Sequence, residues 1–186
     1  MSKILVDTID TRSGTSTMTI GSSNTSTIAL KAGATLTNFP NNTPAFEAHL
    51  SSNASFNTNT STKITFDTEI YDTDSTYNVS NGRFTPGVAG KYFVYTTITA
   101  TAGATNNVTN AAQIYINGIV GPGIISSFNF TGNYLNVHVA MAQGVFDLDT
   151  DDYIEIFGRC LTSNGAAGTF TAGNRSTMFG AYRIGT

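Results

Sequence analysis

Charge is what this chain is shortest of. Asp, Glu, Lys and Arg together make up 11% of its 186 residues, where an ordinary soluble domain carries about 25%. The nine Lys and Arg residues are scattered, and the net charge is −3. Neutralising phosphates takes clustered cations, so this balance argues against a nucleic-acid partner. It argues equally against an electrostatic membrane anchor. Long apolar runs are missing too: no stretch approaches the roughly 20 apolar residues of a membrane span. Cysteine occurs once. Cys160 lies in the apolar run 153–161, where it reads as a small buried hydrophobe, because a reactive thiol needs an electropositive neighbour. The two histidines, His49 and His138, are far apart in sequence and have no Cys or His at zinc spacing. No nucleophile, base and acid assemble into a triad. The Gly-rich turn at 118–123 lacks the Lys-Ser/Thr end of a phosphate-binding loop. The expectation is a non-enzymatic chain with no cofactor.

Thr, Ser, Asn and Gly fill the space left by charge. Threonine suits strands, because its branched Cβ fits a pleated surface, while Asn, Ser and Gly suit turns. Residues 45–186 read as strands throughout: 45–50, 63–67, 91–100, 112–116, 124–130, 134–141, 144–148, 153–161 and 176–184. Asn81-Gly82 and Asn117-Gly118 are hairpin-type turn signals. No convincing amphipathic helix is present. Eight to ten strands with turns every 8–12 residues or so predict an all-β sandwich. The run 134–141 alternates cleanly, with Leu135, Val137, Val139 and Met141 on one face and Tyr134, Asn136, His138 and Ala140 on the other. The last strand is apolar nearly to its end, which predicts a place inside a sheet.

Residues 1–44 differ. Short runs alternate Ile, Leu or Met with Thr or Ser, punctuated by Gly14, Gly21 and Gly33. Each run is too short to bury a face alone, so this arm is expected to order against other copies of itself or a docking surface. Asn38-Phe39-Pro40-Asn41-Asn42-Thr43-Pro44 reads as an irregular hinge ahead of the head domain. The opening Met1-Ser2-Lys3-Ile4-Leu5-Val6-Asp7 lacks the form of a secretory signal, since its apolar run is short and Asp7 follows at once. A chain kept in the cytoplasm, or packaged into something assembled there, is the expectation.

Several motifs then become specific. The stretch Gly82-Arg83-Phe84-Thr85-Pro86-Gly87-Val88-Ala89-Gly90-Lys91-Tyr92-Phe93-Val94-Tyr95 resembles the signature of the complement-subcomponent-q globular head, a relative of the tumour necrosis factor fold. Leu148-Asp149-Thr150-Asp151-Asp152-Tyr153-Ile154-Glu155-Ile156 is similar to that family's Leu-x-x-Gly-Asp-x-Val/Ile stretch, with Asp151 in place of the usual Gly. Ser176-Thr177-Met178-Phe179-Gly180-Ala181-Tyr182 resembles its closing strand. The resemblance covers residues 45–186. It implies a ten-stranded jelly roll, a tight homotrimer, and ligands bound on the outer surface without catalysis. Aligned on the family pattern, Tyr92, Val94, Met178, Gly180 and Tyr182 face the core. Alternation then sends Phe93, Tyr95, Phe179, Ala181 and Arg183 to the opposite face, as a trimer interface.

The arm resembles the openings of virion fibre and appendage proteins of tailed phages, marine ones especially, through Met1-Ser2-Lys3-Ile4 with Val6-Asp7-Thr8-Ile9 and the later Gly33-Ala34-Thr35-Leu36. That resemblance implies particle docking through Ile4, Leu5, Val6, Ile9, Met18 and Ile20, with other virion proteins of the capsid, tail or vertex as partners. The resulting expectation is a trimeric fibre, knob or decoration located in the virion, with a jelly-roll head for a host surface glycan or protein. An architectural capsid cement protein is the alternative. A secreted signalling or lectin trimer is a further one, and the short chain disfavours a polysaccharide depolymerase. The acids Asp147, Asp149, Asp151 and Asp152 are candidates for calcium, weighed against a plain solvated turn.

Overall fold

The structure is a computed structural model that describes residues 42–103, 106–129, 136–173 and 175–185, with backbone alone along 122–129. The arm residues Ile4, Leu5, Val6, Ile9, Met18 and Ile20 lie outside the described residues. Thirteen strands follow one another among the described residues. They are β1 (Ala45–His49), β2 (Ala54–Phe56), β3 (Thr62–Lys63), β4 (Thr68–Asp72), β5 (Tyr77–Asn78) and β6 (Arg83–Phe84), then the long β7 (Gly90–Thr101). After it come β8 (Asn107–Ile116), β9 (Ile119–Asn129), β10 (Val137–Leu148), β11 (Ile154–Thr162), β12 (Gly168–Phe170) and β13 (Met178–Gly185).

They form two antiparallel sheets packed face to face. In the first, β7 is central: β10 runs along one edge, β13 and then β12 share the other, and β1 and β4 follow beyond β13 while β2 caps β12. The second has the order β5-β6-β11-β8-β9, with β3 also on β11. Strand β13 lies between β7 and β1, as its apolar composition predicts. Over the described residues the predicted strands 134–141 and 144–148 merge into one unbroken strand, Val137–Leu148, because Gly144 stays in register with Val94 and the ladder never stops. The predicted strand 63–67 keeps regular pairing only at Thr62–Lys63, although Ile64 and Phe66 are fully buried.

The local reasons are legible. Strand β7 is built from aromatic and β-branched residues, and its buried face carries Tyr92, Val94, Ile98 and Ala100 at period two. Asn117 and Gly118, both at positive φ, turn β8 into β9 as a two-residue hairpin demands. The core centres on aromatic rings. Phe46 stacks on Tyr77 at 4.6 Å and Phe84 at 4.8 Å, and meets Phe179 edge-on at 4.8 Å. Each such ring contributes roughly 1.5–3 kcal/mol by leaving water. The Tyr77 hydroxyl would be costly to bury unpaired, so it donates to the Phe66 carbonyl at 2.9 Å and accepts from the Phe66 amide at 3.1 Å. Two buried asparagines of β8 tie the sheets together. Asn107 donates to the carbonyls of Ala100 and Asn136, and Asn110 to those of Ile98 and His138. Cys160 is buried beside them, its thiol 3.0 Å from Asn107 Oδ1 and pushed up to about 12 by burial, so it is inert at neutral pH.

Candidate functional site: the outer face of the first sheet

Alternation along β7 and β10 leaves one apolar set inside and a second outside. Ala140, Ala142, Phe146 and Leu148 of β10 are buried, while Val137, Val139, Met141 and Val145 are 43–57% exposed. The exposed stripe lies in register with the outward residues of β7: Val145 opposite Phe93, Gln143 opposite Tyr95, Met141 opposite Thr97. Phe93 and Tyr95 face away from the core, as expected from Tyr92 and Val94 facing in. The face continues onto β13, where Tyr182 is the partner of Phe93 and Gly180 the partner of Tyr95. The Phe93 and Tyr182 rings sit 5.5 Å apart.

The closing strand is where the sequence reading needs correction. Residues directly opposite on neighbouring strands point to the same face. Tyr182 and Gly180 therefore share the outer face with Phe93 and Tyr95, and Met178 shares it with Thr97. Phe179 and Ala181 are 0% exposed and belong to the core, Phe179 packing on Phe46 and Phe66. The expected placement of Phe179 and Ala181 on an interface, and of Met178, Gly180 and Tyr182 in the core, is a one-residue slip that flips the whole strand. Arg183 is corrected with them. It pairs with Tyr92, so its side chain leaves on the core side at the end of the sandwich, where it donates to the Ala89 carbonyl at 2.9 Å. There it lines a cleft of about 470 Å³ with Asp74, Thr76 and Thr85, away from the Phe93–Tyr95 face.

Gly180 has a steric reason to be glycine. A Cβ there would come within 2.4 Å of Tyr95 Cζ, so the Tyr95 ring lies flat across the strand. Its phenol donates to Glu47 Oε2 at 2.9 Å, and Glu47 is held from its other side by Arg175 at 3.0 Å. Burial and then the bond to Glu47 push the Tyr95 phenol far above its usual range, so it remains a neutral donor. The face is thus largely apolar and aromatic, with Tyr95, Glu47 and Arg175 paired among themselves.

Two of the four acids considered for calcium have other partners. Asp152 accepts from the Asn117 amide at 2.7 Å and the Asp149 backbone at 2.8 Å, and these two bonds hold its carboxyl below the usual range. Asp147 pairs with Lys91 at 3.3 Å. No group of three or more His, Cys, Asp or Glu that could hold a metal occurs among the described residues.

Sequence reasoning missed one feature outright. Glu155 is 4% exposed on the outward side of β11, salt-bridged to Lys63 at 2.5 Å and Arg83 at 2.8 Å. Burial alone would raise its carboxyl, but the two cations outweigh burial and hold it below the usual range. Nothing local signals this, since the partners lie 92 and 72 residues away.

Two antiparallel sheets with this strand order and a helix-free core define a jelly-roll sandwich of the complement-q and tumour necrosis factor kind. The chain belongs to the C1q domain family, whose profile matches residues 45–182. Among solved structures it is similar to the globular domain of zebrafish complement 1qA, with 15% identity, 76% of this chain and 97% of that one covered, and a TM-score of 0.50. It is also similar to murine APRIL, with 11% identity, 75% and 99% coverage and a TM-score of 0.54. The Eiger tumour necrosis factor of S. frugiperda gives 12% identity, 75% and 91% coverage and a TM-score of 0.53. At such identities these likenesses speak for the fold. No curated protein matches the chain in sequence. The family is one of non-enzymatic binding and structural domains, commonly trimeric.

Proposed function

We propose that this chain is a structural protein of a tailed-phage particle, a homotrimeric fibre, knob or decoration whose head presents its second sheet to a host surface glycan or protein. The observation that carries the trimer is the apolar outer face of the first sheet. Val137, Val139, Met141 and Val145 beside Phe93, Tyr95 and Tyr182 form the kind of contiguous exposed patch that a partner normally covers. Three copies of the face closing on one axis cover it without leaving an open end. Phe93 and Tyr95 belong to this interface, while Phe179 and Ala181 support it from behind. The particle assignment is supported by the arm, where Met18 and Ile20 alternate with Thr17 and Thr19 and the apolar run Ile4, Leu5 and Val6 with Ile9 lies near the start; these residues would dock onto capsid, tail or vertex proteins.

Light scattering on the full-length chain tests the assembly: a mass of three times 19.6 kDa is expected, and a monomer at micromolar concentration would sink the trimer. Antibody labelling of purified particles tests the location. Label at the tail or vertices fits a fibre or knob, a regular shell pattern would make the protein an architectural cement, and unlabelled particles would end the virion reading.

A further inference from the structure

The outward side of the second sheet carries a chemistry that the trimer does not use. On β11 the residues Glu155, Phe157 and Arg159 point out while Ile154, Ile156 and Cys160 point into the core. Tyr115 of β8, the partner of Glu155, shares that side, and its ring sits 4.0 Å from the Phe157 ring, with both rings half-buried. At that separation the rings stack on each other rather than lie side by side, so the pair is a partly exposed aromatic cluster in the middle of the sheet. Cations frame it. Lys63 is the register partner of Phe157, Arg83 lies 4.0 Å over the Tyr153 ring, and Arg159 is exposed with its guanidinium donating to Asn59 Oδ1 at 2.6 Å. Glu155 is the single carboxylate among them, so this side is cationic on a chain whose net charge is −3.

We infer that this cluster binds an acidic polysaccharide, one whose pyranose rings carry carboxylates. The inference rests on the proposed trimer, which turns the second sheet outward. Two observations select this occupant. The exposed side of the stacked pair offers apolar area to a sugar ring, and the exposed Ser61 hydroxyl beside it, held by its bond to the buried Gln113 at 2.8 Å, suits a sugar hydroxyl. The cations supply the charge complement: Lys63 and Arg83 share one carboxylate between them, which leaves positive charge for an incoming anion. A protein interface would instead place an uncharged apolar cluster at the centre. The Arg83–Tyr153 contact and the Glu155 bridges hold the cations in place beforehand, which lowers the ordering cost on binding.

The test measures binding of the full-length chain to immobilised polygalacturonate, to neutral dextran and to poly-glutamate, at low and at physiological salt. The inference expects polygalacturonate to bind, dextran to fail, and affinity to fall as salt screens the cations. Phe157→Thr should weaken polygalacturonate binding roughly tenfold at unchanged mass. Arg159→Ala, an exposed change that leaves the core alone, should weaken it a few-fold and reduce the salt dependence. Equal binding of dextran, failure of polygalacturonate, or binding indifferent to both substitutions would overturn the inference. So would poly-glutamate binding as tightly as polygalacturonate, which would make the surface a plain charge patch. The parent reading fails separately: a monomer that still binds polygalacturonate through Phe157 removes the trimer and keeps the cluster, while a trimer that binds none does the reverse.

Discussion

On the outside of the first sheet, β10 presents Val137, Val139, Met141 and Val145; on the outside of the second, β11 presents Glu155, Phe157 and Arg159. Both strands alternate at period two against a buried face, so the backbone rule is the same. What differs is how each face treats polar groups. The first sheet ties Tyr95 to Glu47 and Glu47 to Arg175 and leaves a surface rich in apolar side chains. The second gathers Lys63 and Arg83 around one buried carboxylate and keeps their other sides in water, 30% and 41% exposed. A sandwich has two outsides, and the distribution of charge separates the apolar one, proposed as the trimer interface, from the charged one.

The sharpest way to break that comparison is at the core that divides the faces. Phe179→Ala should cost about 3–5 kcal/mol in urea unfolding, the loss expected of a buried aromatic. A stability change near zero with loss of assembly would put Phe179 on the interface after all. Next in size is Met141→Glu, which brings three carboxylates onto the covered face. It should disfavour assembly by about 2–4 kcal/mol while circular dichroism stays that of a β protein, so light scattering should register dissociation. A persistent trimer would take β10 out of the interface.

Glu155→Gln should cost about 1–2 kcal/mol. Breaking a fully buried pair costs more, but here Lys63 and Arg83 turn to water when released. The same carboxylate sets a pH response. Its folded pKa lies below its unfolded one, so its contribution is full above the ordinary Glu range and is lost as the pH falls through the lower, folded value. The wild-type chain should therefore lose stability in acid more steeply than Glu155→Gln, as read from thermal midpoints at stepwise lower pH. The smallest effect belongs to the exposed pair Lys91–Asp147: Lys91→Ala should change stability by no more than about 0.5 kcal/mol.

Legibility followed the range of each interaction. The Asn117-Gly118 turn depends on neighbours a few residues away and stands as read, while Tyr92 and Val94 lie inside and Phe93 and Tyr95 outside as the family resemblance implied. The clean alternation of 134–141 was visible too, but which of its faces is core was not, because Val and Met are apolar enough for either side. Ala140 and Ala142 face inward where the two buried asparagines of β8 reach across to β7 and β10, a crowding no single strand reveals. The Glu155 cluster had no local signal at all.

The sequence by itself determined a strand-built chain and its principal turns, since alternation and turn chemistry are properties of a few consecutive residues, while the inward face of β7 followed from the family resemblance. Only the tertiary structure decided the facing of β13. Phe179 with Ala181, and Met178 with Tyr182, are two apolar sets of nearly equal claim on a core. The choice falls to partners on other strands: Gly180 makes room for Tyr95 on one side, while Phe46 and Phe66 receive Phe179 on the other. Pairing across the sheet, and packing between sheets, act between residues far apart in the chain, and so they settle what strand periodicity leaves degenerate.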